Sequence, residues 1–79
     1  MLAFQPMENA MADHVYKLTE IVGTSHDGND AAIKAALERA QKSIRNIRWY
    51  EVVGSRGYLE SDGRVIYQVT LKVGFTLDG

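Results

Sequence analysis

The 79 residues contain no cysteine, one proline and one tryptophan. Without thiols there is neither a disulfide staple nor a thiolate metal site, so a chain this short must find reinforcement elsewhere. A domain of this size buries roughly 60% of its unfolded surface, which leaves subunit association or a bound ligand as the supplement. Neither sign of charge dominates: 9 basic residues stand against 10 acidic ones, for a net charge of −1. That balance gives no electrostatic footprint for nucleic acid and no polybasic patch for a membrane surface. No apolar run approaches the roughly 20 residues that span a bilayer, and the first ten residues lack the basic start of a secretory signal. The expectation is a cytoplasmic protein with neither nucleic-acid nor membrane partners.

What is present divides into an extension and one domain. Residues 1–12 (MLAFQPMENAMA) hold the proline and all three methionines without a sustained period, and are expected to be a disordered extension before a single domain over residues 13–79. His14 to Gly23 alternates as a strand rich in β-formers. Thr24 to Asn29 reads as a loop with Asp27 or Asn29 as helix cap. From Asp30 to Arg45, Ala32, Ile33, Ala36, Leu37, Ala40 and Ile44 recur at three- and four-residue spacing, the mark of an amphipathic helix. Its stripe is mostly alanine and lets the helix lie close to a sheet. Arg45 and Arg48 suit the negative end of its dipole.

Ile47 to Leu59 and Arg64 to Leu77 read as two strands joined by Ser61-Asp62-Gly63-Arg64. Asp-Gly as a two-residue turn would pair Ser61 with Arg64, Tyr58 with Tyr67, Val52 with Val73 and Tyr50 with Phe75. Tyr50, Val52, Tyr58, Tyr67, Val69, Leu71, Val73 and Phe75 then share the face on which the helix should pack. The other face carries Trp49, Glu51, Val53, Ser55, Gly57, Gln68, Thr70, Lys72, Gly74 and Thr76, a large aromatic among amides, hydroxyls and charges. Parity assigns Arg56 to the core face, and a bulge between the flanking Gly54 and Gly57 is expected to turn it outward. The fold class is thus α+β in the order β-α-β-β: a three-stranded antiparallel sheet with one helix on one face. The opposite face is bare, and burying it calls for a second copy.

No catalytic or metal-ligating residues emerge. His14 and His26 have no partner at ligand spacing. Glu38, Glu51 and Glu60 lack the paired carboxylate or oriented nucleophile of acid–base chemistry, and Glu51 with Lys72 reads as an interface ion pair. The glycines are scattered and form no phosphate-cradling run before a helix. Taken alone, a single tryptophan on a mixed strand face is ordinarily an interface or core residue.

The stretches VYKLTEIVGTS, ERAQKSIRNIRWYEV and YQVTLKVGF, in this order from His14 to Leu77, resemble the dodecins, small flavin-binding proteins that assemble as hollow homododecamers. The resemblance implies that Trp49 stacks on the isoalloxazine ring of a flavin shared with tryptophans of neighbouring subunits, and that Gln68 hydrogen-bonds the ring's pyrimidine edge. It implies FMN as the ligand, with riboflavin or another flavin as alternatives, coenzyme A as a further molecule some members hold, and Arg56 as phosphate partner. The implied function is storage or sequestration of flavin with quenching of its photochemistry, and no enzymatic activity. Two rivals stand beside it. A flavin-dependent oxidoreductase would need an open ring face for a second substrate. A purely structural oligomer would bury Trp49 against another chain.

Overall fold

A computed structural model describes residues 14–77; the expected extension over residues 1–12 lies outside them. The elements follow in the order β1 (Tyr16–Ser25), α1 (Asn29–Gln41), β2 (Ile47–Leu59) and β3 (Val65–Thr76). All pairing is antiparallel and β3 lies in the middle, giving the sheet order β1-β3-β2. This is the expected β-α-β-β arrangement.

Strand β1 continues two residues past Gly23, because Thr24 and Ser25 pair with Gln68 and Tyr67 of β3. A ladder partner outweighs the loop-forming composition of that stretch. Helix α1 starts differently from expectation as well. Gly28, with φ 123°, occupies the cap position, and neither Asp27 nor Asn29 serves there. The Gly28 carbonyl accepts the first helical N–H, from Ala32, while the Ser25 hydroxyl accepts from the Asp27 N–H and closes the preceding turn. The regular helix ends at Gln41, and backbone bonds from Lys42, Ser43 and Ile44 to Arg39 and Ala40 wind down its last turn. Asn46, at φ 65°, then reverses the chain into β2, and its carbonyl accepts from the Thr76 N–H.

The alanine stripe performs as its composition indicates. Ala32, Ala36 and Ala40 are buried, and α1 lies directly over Gly23 of β1. A Cβ added at Gly23 would come within 2.7 Å of the Ala36 Cβ and would also strike the Ala32 carbonyl. Val69, Leu71 and Val73 of β3 complete the core, with Ile21, Ile33 and Leu37 packed against Ala32, Ala36, Val69 and Leu71.

The hairpin departs from the expected register. Glu60 N–H donates to the Arg64 carbonyl and Gly63 N–H to the Glu60 carbonyl, so Ser61, Asp62 and Gly63 form a three-residue loop with Gly63 at φ 90°. A type I turn followed by a left-handed glycine replaces the two-residue turn. Tyr58 therefore pairs with Ile66, not Tyr67, and a bulge between Val52 and Gly54 shifts the ladder once more, so that Val52 meets Leu71 and Tyr50 meets Val73. A second irregularity falls between Ile47 and Trp49. The faces of lower β2 exchange accordingly: Tyr58 moves to the face of Gln68, while Ser55 and Gly57 pair with Val69 and Tyr67 on the helix side.

Helix α1 packs on β1 and β3 and does not reach across β2. Tyr50 and Val52, although on its side of the sheet, remain exposed, and so do Trp49 on the other side and Val53 at the bulge. Among the described residues no helix is long and apolar enough to cross a membrane.

Candidate functional site: the helix-free face of the sheet

The face turned away from α1 is a set of cross-strand rows. Reading from β1 through β3 to β2, these are Leu18–Gly74–Trp49, Glu20–Lys72–Glu51, Val22–Thr70–Gly54 and Thr24–Gln68–Arg56. All three residues singled out from the sequence, Trp49, Gln68 and Arg56, therefore lie on this one face. Arg56 turns outward as expected, but not through a bulge between Gly54 and Gly57: the three-residue loop shifts lower β2 by one position and makes Arg56 the direct cross-strand neighbour of Gln68, while the bulge at Val53 returns Tyr50 and Val52 to the helix side.

Trp49 is 39% exposed although it lies against the sheet. The reason is Gly74, its cross-strand partner. A Cβ at that position would be 2.5 Å from the indole Cζ2 and 2.6 Å from Nε1, so the ring rests across bare backbone where any side chain would stand. Tyr16, near the start of β1, bounds the ring on the far side, at 6.4 Å between centroids and 69° between planes, an edge-to-face pair. His14 follows at 6.3 Å from Tyr16 in a tilted arrangement. The indole is thus seated close over the Gly74 backbone and against Tyr16, and the residue stays partly exposed.

Sequence reasoning did not find Gly74 or Tyr16. A glycine in the bulky run Leu71-Lys72-Val73-Gly74-Phe75 is the one signal that was available, since glycine inside a strand marks a close approach. The assumed register had set Trp49 opposite Thr76 instead.

Gln68 and Trp49 of one chain are not close. Gln68 lies six residues from Gly74 along β3, about 20 Å at the rise of an extended strand. A planar tricyclic ligand stacked on one chain's Trp49 cannot reach the same chain's Gln68, so a site using both draws them from different chains. Midway between them, Lys72 is flanked by Glu20 and Glu51, a charged row in place of the single expected pair.

Two other features lie away from these rows. At the hairpin end, Arg64 pairs with Glu60 at 3.2 Å and with Asp62 at 3.1 Å, and His26 Nε2 stands 4.0 Å from Glu60. At the opposite end an open groove of about 410 Å3 lies between the helix exit, Ser43 to Asn46, and Phe75, Thr76 and Leu77. Among the described residues no group of three or more histidine, aspartate or glutamate side chains gathers as a metal centre.

Comparison with known proteins gives a consistent result. The family model described as Dodecin matches residues 15–78. The dodecin of Thermus thermophilus is 52% identical over 64 residues, covering 81% of this chain and 93% of that one. A solved dodecin from Streptomyces davaonensis superposes with a TM-score of 0.80 at 46% identity, covering 86% of this chain and all of the other. The Mycobacterium tuberculosis protein called calcium dodecin is 33% identical over 63 residues, 80% of this chain and 89% of its own. Its solved structure, described as having a novel calcium-binding site, superposes with a TM-score of 0.74.

Proposed function

The chain belongs to the dodecin family, small ligand-binding proteins that form homo-oligomers, and from that premise we propose that it stores or sequesters flavin, FMN first, in a hollow cytoplasmic homododecamer. The observation that carries the reading is the Trp49 indole, seated close over Gly74 and partly exposed on a sheet surface that no element of the described residues covers.

An electron-rich indole offers its free face to the electron-poor isoalloxazine, in the offset geometry that aromatic pairs prefer. Gln68 from a neighbouring chain supplies an amide N–H and C=O to the alternating acceptors and donors of the pyrimidine edge. Arg56 neutralises the phosphate of the mononucleotide through charge-assisted hydrogen bonds, and riboflavin binds without that contact. Coenzyme A is a second candidate ligand.

Contact between the rings also accounts for photoprotection. The excited flavin accepts one electron from the indole and returns it, so both rings end as they began and the excitation leaves as heat. No substrate is converted, and a ring covered on both faces offers a hydride donor no approach. The chain is accordingly a binding protein and not an oxidoreductase.

The test is fluorescence. Flavin added to the purified particle is expected to lose its emission, and Trp49→Ala to abolish tight binding while leaving the particle mass unchanged. Flavin that keeps its free-solution fluorescence with the wild-type protein refutes the stacking reading, and favours the purely structural oligomer.

A further inference from the structure

We infer that Gly74 and Tyr16 are positioning residues that lock the Trp49 indole into a platform with a single usable face. The inference rests on the flavin-binding reading for its ligand, but the platform itself is a property of the ligand-free fold. A tryptophan side chain on an exposed strand ordinarily samples several staggered rotamers, and each one presents the ring differently. Ordering it only when the ligand arrives would weaken binding by the cost of the lost rotamer freedom.

Two contacts hold this ring beforehand. Gly74, in the row Leu18–Gly74–Trp49, is the floor, and its lack of a Cβ lets the indole descend onto β3. Tyr16, one row further along β1 and paired with Thr76, is the wall, meeting the indole at 69° so that the ring cannot slide toward the sheet edge. The floor leaves no room for a ligand between the indole and β3. Each chain then contributes one stacking surface, and a ligand ring covered above and below must sit between two chains.

Tyr16 meets the indole through its ring. Tyr16→Phe should therefore preserve the platform and Tyr16→Ala should not. A suitable probe is lumiflavin, the bare tricycle, because it removes the phosphate and sugar contacts. Since the chain has a single tryptophan, the fluorescence anisotropy of the ligand-free protein reports Trp49 alone.

Particle mass and far-UV circular dichroism check that each variant remains assembled and folded. With those unchanged, Tyr16→Ala is expected to lower the anisotropy and weaken lumiflavin binding by about three- to tenfold, the range for losing one aromatic pair. Tyr16→Phe should stay within about twofold of wild type on the same scale. Gly74→Ala should displace the ring outright and abolish quenching. Wild-type anisotropy and wild-type lumiflavin affinity in Tyr16→Ala overturn the inference, and so does a Tyr16→Phe defect equal to that of Tyr16→Ala. If the wild-type protein binds no lumiflavin, the flavin reading falls, and the anisotropy of Tyr16→Ala decides the positioning claim by itself.

Discussion

Gly23→Ala is the most direct test of how α1 meets the sheet. The new methyl would lie 2.7 Å from the Ala36 Cβ and would collide with the Ala32 carbonyl, where relaxed carbon–carbon contacts need about 3.5–4.0 Å. Neither obstacle is a flexible side chain, so the helix backbone itself must retreat by about 1 Å. Its retreat loosens contacts at Ala32, Val69 and Leu71 together. Overpacking of this kind costs about 1–3 kcal/mol. Against it, replacing glycine restricts the unfolded chain and contributes about 0.4–1 kcal/mol in the opposite direction. A net loss of about 1–2 kcal/mol corresponds to a Tm lowered by about 4–16 °C for a domain of this size. The assay is thermal unfolding followed by far-UV circular dichroism at fixed chain concentration, because association moves Tm by mass action. Lys34→Ala, on the exposed side of α1, serves as control and should remain within about 0.5 kcal/mol of wild type. An unchanged or raised Tm for Gly23→Ala would refute the close approach, since the unfolded-state effect alone acts upward.

Leu71→Ala removes the largest fully buried side chain and should cost about 2–5 kcal/mol, read as a shift in urea midpoint with an unchanged slope. Gly63→Ala forces a Cβ into φ 90° at the hairpin loop and should lose about 1 kcal/mol by the same measurement, with no clash to contribute because the surrounding space is open. A last prediction concerns the sharing of sites between chains. When Trp49→Ala and Gln68→Ala chains are unfolded and reassembled together at equal amounts, random pairing should regenerate about a quarter of the intact Trp49–Gln68 combinations. Flavin quenching should reappear to that extent, whereas sites built within one chain would regenerate none.

The elements themselves were legible because periodicity survives burial: the alanine stripe of α1 and the limits of β2 follow directly from the sequence. The outward turn of Arg56 was legible for a different reason. A guanidinium on a core face is costly enough that the chain must correct its parity, but the correction comes from the three-residue loop and not from a bulge between Gly54 and Gly57. Register was not legible. Asp-Gly serves two-residue and three-residue loops alike, and which forms depends on whether glycine takes the second central position or the left-handed position after a type I turn. That one-residue difference and the bulge at Val53 together move Trp49 by two positions along β3. Two is an even number, so its face came out correctly while its partner became Gly74 in place of Thr76. The floor beneath the indole was hidden by that offset. The poor reach of α1 over β2 was equally invisible, because a helix stripe states how much it buries and not which strands lie under it.

The described residues extend 56 × 27 × 16 Å. A body 16 Å thick is filled by one sheet and one helix, whose own packing separation takes about 10 Å. There is no interior left in which to enclose a flavin-sized guest, so the proposed store would have to lie in the seams between chains. A guest lodged in a seam acts as mortar: whatever free energy it gains on binding also resists the parting of the two chains that hold it. Loaded particles should therefore come apart at lower chain concentrations than empty ones, which a dilution series followed by particle mass would show.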